Sequence, residues 1–571
     1  MEKRRPTVAS ATTMLVFLSV FYGTYSFYFG FFNNIEELPL LYRILGIAEY
    51  AGDAYVGEHV SRYTQVTPYL AVIAAAYRLL DARQLLHVFF IFHVVTIGLI
   101  YYSLRKLLCS VARVGEVAIL GSLLSLLLVA SIGNVIPNGR WLFVSYLDPE
   151  LVTYPFLFFS VSYFIERRYA LSEGYFAVAT VLHPLYALLL VVGLVGGLVL
   201  RYVSRREKAR EIIVRGGTYG AIAVGYSFVV WLGSRQSVPS VLDPSYVMEV
   251  VRSPHHYRIP SLLALDETTL RFFCFAGFFS GVGLFLMRYV RTEKNELIRD
   301  LRWCFGLPVI RTIFQEKAVA AGEDGRHGEW FKSEYLELWV INVSLLAVLL
   351  ASSCLAVVGR LPIVIEVTPY RIGTVVVVLS WTLFAAGLAN RFVSPRLAWS
   401  SHGKWLWRFC IGVIVASGVV NGVKKARCIP GGLRPNEAEL VSWVRTETRR
   451  DDLFLSYVHP FQVSVRTHAL RPEYWGSAPL FSDSQLAWYE QFTIVYDVPE
   501  KLELANYWEV KTYAERPHVI DLRNVVRRSG EPIQYIVLPQ DGIYSFESDG
   551  YTNVFENAAY RVLRTNEPKA R

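Results

Sequence analysis

The chain has 571 residues, of which 53% are hydrophobic and only 18% are charged. Soluble proteins typically carry about 25% charged residues, so this composition excludes a disordered chain, a fibrous chain and a small disulfide-rich secreted domain. The apolar residues gather in runs long enough to cross a lipid bilayer, which predicts a polytopic membrane protein.

The net charge of +9 is unevenly distributed along the chain. Residues 429–571 contain 16 Lys and Arg against 20 Asp and Glu, so the positive excess belongs entirely to residues 1–428. Basic residues in short cytoplasmic loops set the orientation of membrane helices. The charge therefore predicts a membrane-embedded part with membrane lipid as its partner, and it gives no reason to invoke nucleic acid.

The apolar runs are taken in chain order. The first, residues 12–32, follows a basic N-terminus and has no small-residue cleavage site after it, which predicts an uncleaved membrane anchor. Further crossings are predicted near residues 84–104, 114–133, 151–166, 212–233, 268–290, 333–357, 366–390 and 405–423.

The segment 171–200 is apolar but has basic residues at both ends and His183-Pro184 in its middle. Proline disfavours a continuous helix, so this segment predicts a broken hairpin of two helices whose ends both lie in the cytoplasm. The predicted fold class is thus an α-helical polytopic membrane protein with about nine crossings plus a broken hairpin, followed by a C-terminal soluble α/β domain.

An N-terminus in the cytoplasm places most of the Lys and Arg of residues 1–428 in cytoplasmic loops. The loops 33–83, 134–150 and 234–267 then lie on the outer face of the plasma membrane, together with the extracytoplasmic domain 429–571. Within the first of these loops, residues 66–80 are apolar but too short for an ordinary crossing, which predicts an interfacial helix.

The C-terminal domain predicts a mixed structure. A helix is expected from Pro435 to about Arg449 with Asn436 as its N-cap, and buried strands are expected at Asp452–Tyr457, Tyr535–Leu538 and Tyr560–Arg564. Two further helices are expected over Ser482–Tyr496 and Pro499–Ala514.

Three carboxylates in the first outer loop are candidates for general-base chemistry: Glu36, Glu37 and Asp53. Partial desolvation at a membrane boundary makes a carboxylate a stronger base, able to take a proton from a hydroxyl while a lipid phosphate leaves. The alternative is that Glu36 and Glu37 only end the water-facing side of a membrane helix.

The other outer loops carry residues suited to an anionic substrate. Arg140 and Asp148 lie in the second loop, and His255, His256 and Arg258 lie in the third. Arginine or histidine could neutralise a phosphate. Adjacent histidines could instead bind a divalent metal with a carboxylate, although neighbouring residues on a strand point to opposite sides.

His183 is a further binding candidate because ionisable groups at membrane depth are functional candidates by default, although a hydrogen-bonded packing role is the alternative. No cofactor or metal-ligand set is predicted with certainty. The six cysteines are scattered, and the motifs GxxxxGK[ST], HExxH and GxSxG are absent from the sequence. Nucleotide-driven transport and serine or zinc hydrolysis therefore have no support.

Several stretches, in this order, resemble a group of prokaryotic membrane proteins similar to the GT-C class of integral membrane glycosyltransferases. They are Glu37–Ile44 followed by Gly52–Val56, Leu182–Tyr186, Ser253–Tyr257, and Val441–Arg445 followed by Asp451–Leu455. The resemblance implies a sugar donor linked to a polyprenyl phosphate or diphosphate, and an outer-face acceptor activated by an Asp or Glu of the first loop.

Carried onto this sequence, the resemblance implies Asp53 as the first candidate base and Glu37 or Glu36 as the second. Many lipid-sugar mannosyl- and aminoarabinosyltransferases place an Asp-Glu pair after the first span, where this chain has Glu36-Glu37. Arg43, Arg140 or Arg258 could hold the donor phosphate.

Two other functions are compatible with the sequence. Broken helices at membrane depth are also typical of transporters, so a transporter or lipid flippase is one alternative. A non-catalytic envelope assembly protein acting through residues 429–571 is the other.

Overall fold

The computed structural model describes residues 8–25, 27, 29, 34–51, 53–80, 85–112, 116–132, 142–144, 146–204, 207–234, 267–289, 326–359, 372–392, 433–458, 463–475, 482–499, 510, 513–514, 516–542 and 544–565. Arg140, His255, His256, Arg258 and the predicted crossing 405–423 lie outside the described residues.

Helices dominate the first part of the chain. In order they are α1 (Val8–Thr24), α2 (Asn34–Ile44), α3 (Ala54–Ser61), α4 (Thr67–Leu79), α5 (Leu85–Val111), α6 (Glu116–Ile132), α7 (Pro149–Ile165), α8 (Tyr169–Leu182), α9 (Pro184–Val203), α10 (Ala209–Ser234), α11 (Glu267–Tyr289), α12 (Arg326–Gly359) and α13 (Gly373–Phe392). One continuous hydrophobic core joins their inner faces. The fold is therefore a helical bundle.

Among the described residues, four helices are long and apolar enough to cross a membrane: Leu85–Val111, Pro184–Val203, Ala209–Val230 and Ser333–Ser352. The apolar parts of α1, α6, α11 and α13 are shorter. The helix of the first predicted crossing also ends earlier than expected, at Thr24, and Phe27 then packs on Phe90 of α5 at 5.3 Å between ring centroids. The total of about nine crossings stays a prediction.

The broken hairpin is confirmed as a local structure. His183 has an extended backbone (φ −156°, ψ 90°) between α8 and α9, because the following proline excludes a helical conformation at this position. Near the far end of α9, Arg201 donates a hydrogen bond of 2.5 Å to the hydroxyl of Tyr169 at the start of α8. The two ends of the segment therefore lie side by side, as the basic residues at both ends predicted.

Helices α11 and α13 approach closely at Gly283 of α11 and Gly387 of α13. A methyl group at Gly283 would lie 2.8 Å from the carbonyl carbon of Leu383, whereas one at Gly281 would meet no atom within 4 Å. Small residues at helix crossings let backbones approach, which strengthens van der Waals packing in a membrane.

We expect Gly283→Ala to lower the free energy of unfolding by about 1–3 kcal/mol, because the added methyl group forces the two backbones apart. Gly281 lies on the same helix. Gly281→Ala should leave the free energy of unfolding unchanged or raise it slightly, because alanine has a higher helix propensity than glycine. Thermal unfolding of both variants in detergent would check this. Equal melting temperatures for the two would contradict the close packing.

The C-terminal domain contains α14 (Pro435–Glu447), β1 (Leu453–Ser456), a π-helical turn (Val465–Ala469), α15 (Ser482–Val495), β2 (Val519–Asp521), α16 (Leu522–Ser529), β3 (Ile533–Pro539), β4 (Ser545–Glu547), β5 (Thr552–Glu556) and β6 (Tyr560–Arg564). A four-stranded sheet has the order β1-β3-β6-β5, with β1 and β3 parallel and the other pairs antiparallel. Strands β2 and β4 form a parallel pair.

Both faces of the larger sheet are covered, because successive strand residues point to opposite sides. Phe454 and Val537 pack in one hydrophobic cluster, and Leu455 and Ile536 pack in another. The three predicted strands are therefore confirmed. The prediction of Asn436 as N-cap was wrong: Pro435 takes the first helical position, and the N-cap residue is the one before it.

Candidate functional site

Residues 34–80, which are predicted to lie on the outer face and are called the first outer segment below, contain three helices (α2, α3 and α4). Glu36 and Glu37 occupy the first turn of α2, where the helix dipole favours negative charge. Glu37 is 7% exposed, whereas Glu36 is only partly buried. The adjacent carboxylates therefore have different environments, and Glu37 is the one that the protein shields from water.

Asp53 is the N-cap of α3 and is buried. Its Oδ1 accepts a hydrogen bond of 3.1 Å from the backbone N–H of Val56. Its Oδ2 accepts one of 2.5 Å from Nε of Arg466 and one of 3.1 Å from the backbone N–H of Glu473. Three donors, two of them from the C-terminal domain, thus hold both carboxylate oxygens.

Arg466 lies in the π-helical turn and is 2% exposed. Burial lowers its pKa, but the charges of Asp53 and Glu473 outweigh burial and raise the pKa above the ordinary value for arginine. Its guanidinium lies over the ring of Tyr55 at 5.2 Å, and its carbonyl oxygen accepts a hydrogen bond of 2.9 Å from the hydroxyl of Tyr50. The ion pair of Arg466 and Asp53 therefore connects the C-terminal domain to the first outer segment.

Glu473 is the second carboxylate beside Arg466. Burial raises its pKa to about 7, opposed by the charge of Arg466 and increased further by the charge of Asp53. Its Oε1 accepts a hydrogen bond of 3.1 Å from the backbone N–H of Val465, and its Oε2 accepts one of 3.3 Å from the hydroxyl of Ser464. The cluster thus contains one guanidinium and two carboxylates. Arg466 donates from its side chain to the carboxylate of Asp53, whereas the carboxylate of Glu473 accepts from the backbone of Val465 and from Ser464.

This cluster predicts a pH dependence. The folded-state pKa of Glu473, about 7, lies above that of an unfolded chain, about 4.3. The folded state thus binds the proton more tightly, so the stabilisation is fully present below about pH 4.3 and is lost as the pH rises through about 7.

We expect the melting temperature of the wild type to fall between about pH 5 and about pH 7.5 for this reason. The melting temperature of the Glu473→Gln variant should fall less over the same pH range, because glutamine keeps the shape of the side chain but cannot ionise. Parallel slopes for the two proteins would show that Glu473 does not titrate in this window.

A second group of polar side chains lies between α2, α4 and the start of α7. Burial raises the pKa of Tyr69 well above its ordinary value, and the charges of Glu37 and Asp148 raise it further. The Tyr69 hydroxyl donates a hydrogen bond of 3.3 Å to the carbonyl oxygen of Leu147. Asp148 caps α7 through a hydrogen bond of 2.7 Å from the N–H of Leu151. The charges of Glu37 and Asp148 therefore both act on the Tyr69 phenol.

A third acid, Glu150 in the first turn of α7, lies next to the helix break at His183. Glu150 is buried, and its Oε2 accepts a hydrogen bond of 2.9 Å from the hydroxyl of Tyr186, while its Oε1 lies 3.7 Å from Nε2 of His183. The hydroxyls of Tyr154 and Tyr186 are 3.0 Å apart. The break at His183 thus faces the start of α7, and its imidazole has a carboxylate neighbour.

The remaining site candidates are more scattered. Arg43 is exposed in the last turn of α2. Among the described residues, no group of three or more His, Cys, Asp and Glu side chains could hold a metal ion.

Sequence reasoning did not select Arg466, Glu473, Tyr55 or Tyr69. Arg466 and Asp53 are 413 positions apart, and no local pattern marks one arginine of the C-terminal domain among its other basic residues. The run Asp148-Pro149-Glu150 was the only local signal for the acids near the helix break.

The chain is similar to known proteins at the level of solved structures. No family model and no curated protein matches the chain. The solved structures include "Crystal Structure of ArnT from Cupriavidus metallidurans bound to Undecaprenyl phosphate", which is similar at 11% sequence identity with a TM-score of 0.36. That similarity extends over 97% of this chain and 96% of the ArnT chain.

Proposed function

We propose that this protein is a membrane glycosyltransferase that moves a sugar from a polyprenyl-phosphate-type lipid to an acceptor on the outer face of the membrane. The observation that carries the proposal is the burial of Glu37, in a segment that the C-terminal domain contacts directly through Asp53 and Arg466. A water-shielded carboxylate beside apolar helices is suited to deprotonate a hydroxyl acceptor.

Glu37 is the proposed general base, and this choice reverses the ranking that the resemblance implied. Asp53 accepts three hydrogen bonds, one of them from a guanidinium. These bonds occupy both carboxylate oxygens of Asp53 and connect it to the C-terminal domain. Glu36 is less suited because it is only partly buried. Asp53 is therefore proposed to anchor the site rather than to react.

The donor side of the site follows from the charge of the substrate. A lipid phosphate needs cationic partners, and Arg43, Arg140 and Arg258 remain the proposed ones, with His255 and His256 beside them. His183 and Asp148 are proposed to border the acceptor side, next to Glu150. A divalent metal on the phosphate would supply further charge neutralisation.

The test is a transfer assay with the purified protein in liposomes. The probes are polyprenyl-phosphate sugars of defined head group, and the readout is covalent sugar on an acceptor pool from the cell envelope. Radiolabel that remains entirely in the donor lipid, with no labelled product and no free sugar from hydrolysis, would contradict the proposal.

A transporter is the second candidate because the helix break at His183 lies against a buried carboxylate, Glu150. Broken helices and acidic residues at membrane depth are typical of transport sites. The same liposomes separate the two functions. A transporter would move the labelled lipid or solute across the bilayer with no covalent change.

A further inference from the structure

The π-helical turn Val465–Ala469 contacts the first outer segment through Arg466. Leu470, which follows the turn, packs against the hydrophobic core of the helical bundle. It has a left-handed backbone (φ 60°), a conformation that residues other than glycine rarely adopt. Tyr50 on the opposite side of the contact is also left-handed (φ 54°). Both surfaces thus hold constrained backbone where they meet.

Arg466 connects this turn to three groups of the first outer segment. Its Nε donates to Asp53, its guanidinium stacks over Tyr55, and its carbonyl oxygen accepts from Tyr50. The planar guanidinium suits this combination, since it can donate in its plane and stack with its face.

Tyr55 extends the connection to the acidic turn of α2. Its hydroxyl donates a hydrogen bond of 3.1 Å to the carbonyl oxygen of Glu36, the residue before Glu37. The contacts therefore run without a gap from Arg466 through the ring and the hydroxyl of Tyr55 to the backbone that carries Glu37.

We propose that Arg466 is a positioning residue, which sets the orientation of Glu37 through Tyr55 and so makes the C-terminal domain part of the reaction site. This inference rests on the proposed function only for the identity of the reacting group. The contact itself is independent of the reaction.

Arg466 also donates a hydrogen bond of 3.2 Å to the carbonyl oxygen of Glu473, but the stability of the C-terminal domain does not by itself require an arginine here. The domain has two hydrophobic clusters of its own around its larger sheet. A buried guanidinium costs desolvation, and apolar residues of similar size often stabilise such a position as well or better. An arginine here is therefore better explained by the geometry that it imposes on the opposite segment.

The experiment compares Arg466→Met, Tyr55→Phe and the double variant with the wild type in the transfer assay. We expect Arg466→Met to lower kcat at least about tenfold, with the KM for the donor lipid changed less than about twofold, because the group is misplaced and binding is kept. Tyr55→Phe should lower kcat in the same way, and the double variant should lose less than the product of the two losses.

Tyr63→Phe is the matched control. It removes a hydroxyl from the same segment and leaves the Arg466 contacts intact. The Tyr63 hydroxyl lies 2.8 Å from the hydroxyl of Tyr226. Its kcat should equal that of the wild type. Should Arg466→Met fail to fold, Tyr55→Phe decides alone, since it keeps the ion pair of Asp53 and Arg466.

Amide hydrogen exchange gives a readout that needs no reaction. In Arg466→Met, exchange should become faster at Val56, whose N–H bonds to Asp53, and through the first turn of α2. Unchanged exchange, strictly multiplicative losses of kcat, or a loss confined to KM would overturn the proposal. Faster exchange in a protein that transfers no sugar would refute the proposed function but keep Arg466 as the organiser of this segment.

Discussion

Glu37→Gln should lower sugar transfer by about 10²–10⁴-fold, because an amide cannot take the proton of the acceptor hydroxyl. The side chain is shielded from water, and its charge acts on Tyr69 together with that of Asp148. Glutamine has nearly the same shape, so the variant should fold like the wild type. The loss should therefore appear in kcat, with little change in the melting temperature. Initial rates with a polyprenyl-linked sugar would measure it.

Two neighbouring carboxylates provide the controls. Glu36→Gln should retain most of the rate, since that side chain is only partly buried and its carbonyl oxygen, which accepts from Tyr55, is unchanged. Asp53→Asn should lower the melting temperature as well as the rate, because it weakens the pairing with Arg466. If Asp53→Asn stopped transfer without loss of stability while Glu37→Gln remained active, Asp53 would be the base.

Arg201→Met should cost about 3–5 kcal/mol of stability, the largest loss that we expect from a single substitution. Arg201 is fully buried at the end of α9. It donates hydrogen bonds of 2.6 Å to Glu337 and 2.8 Å to the carbonyl oxygen of Phe164, and it lies 3.3 Å from Glu207. Methionine fills similar space but leaves the buried carboxylate of Glu337 without its cation.

The double variant Arg201→Met with Glu337→Gln should recover much of this loss, because it removes both members of the charged pair. Arg215→Met is the exposed control. Its guanidinium pairs with Glu173 and Glu211, but it is 32% exposed, so we expect a cost below about 1 kcal/mol. Unfolding in detergent would rank the three variants. Equal losses for Arg201→Met and Arg215→Met would show that burial does not govern the cost.

Local sequence was sufficient wherever one segment carries its own signal. The proline after His183 predicted the break, and the basic residues at both ends of that segment predicted that its ends lie together. The short apolar run 66–80 predicted a helix, which the structure has at Thr67–Leu79. In these cases the local structure follows from a backbone preference or from the length of an apolar run, and no residue distant in the sequence is needed to specify it.

The candidate site shows where local reasoning stops. The family resemblance implied Asp53 as the base, but its environment is set by Arg466 and by the backbone of Glu473, both more than 400 positions away. The basicity of a carboxylate depends on every donor that reaches it. No spacing rule within the first outer segment contains those donors.

The amino-acid sequence by itself determined the helical character of the first part of the chain, the broken hairpin and the strands of the C-terminal sheet region. These follow from apolar run length, proline and strand patterning, which act between near neighbours. Only the tertiary structure decided that Glu37 is shielded from water while Glu36 is only partly buried, and that the buried Asp53 is held by a guanidinium. That difference arises because hydrogen bonds and Coulomb attraction act between side chains that the folded chain, and not the linear one, brings within 3 Å.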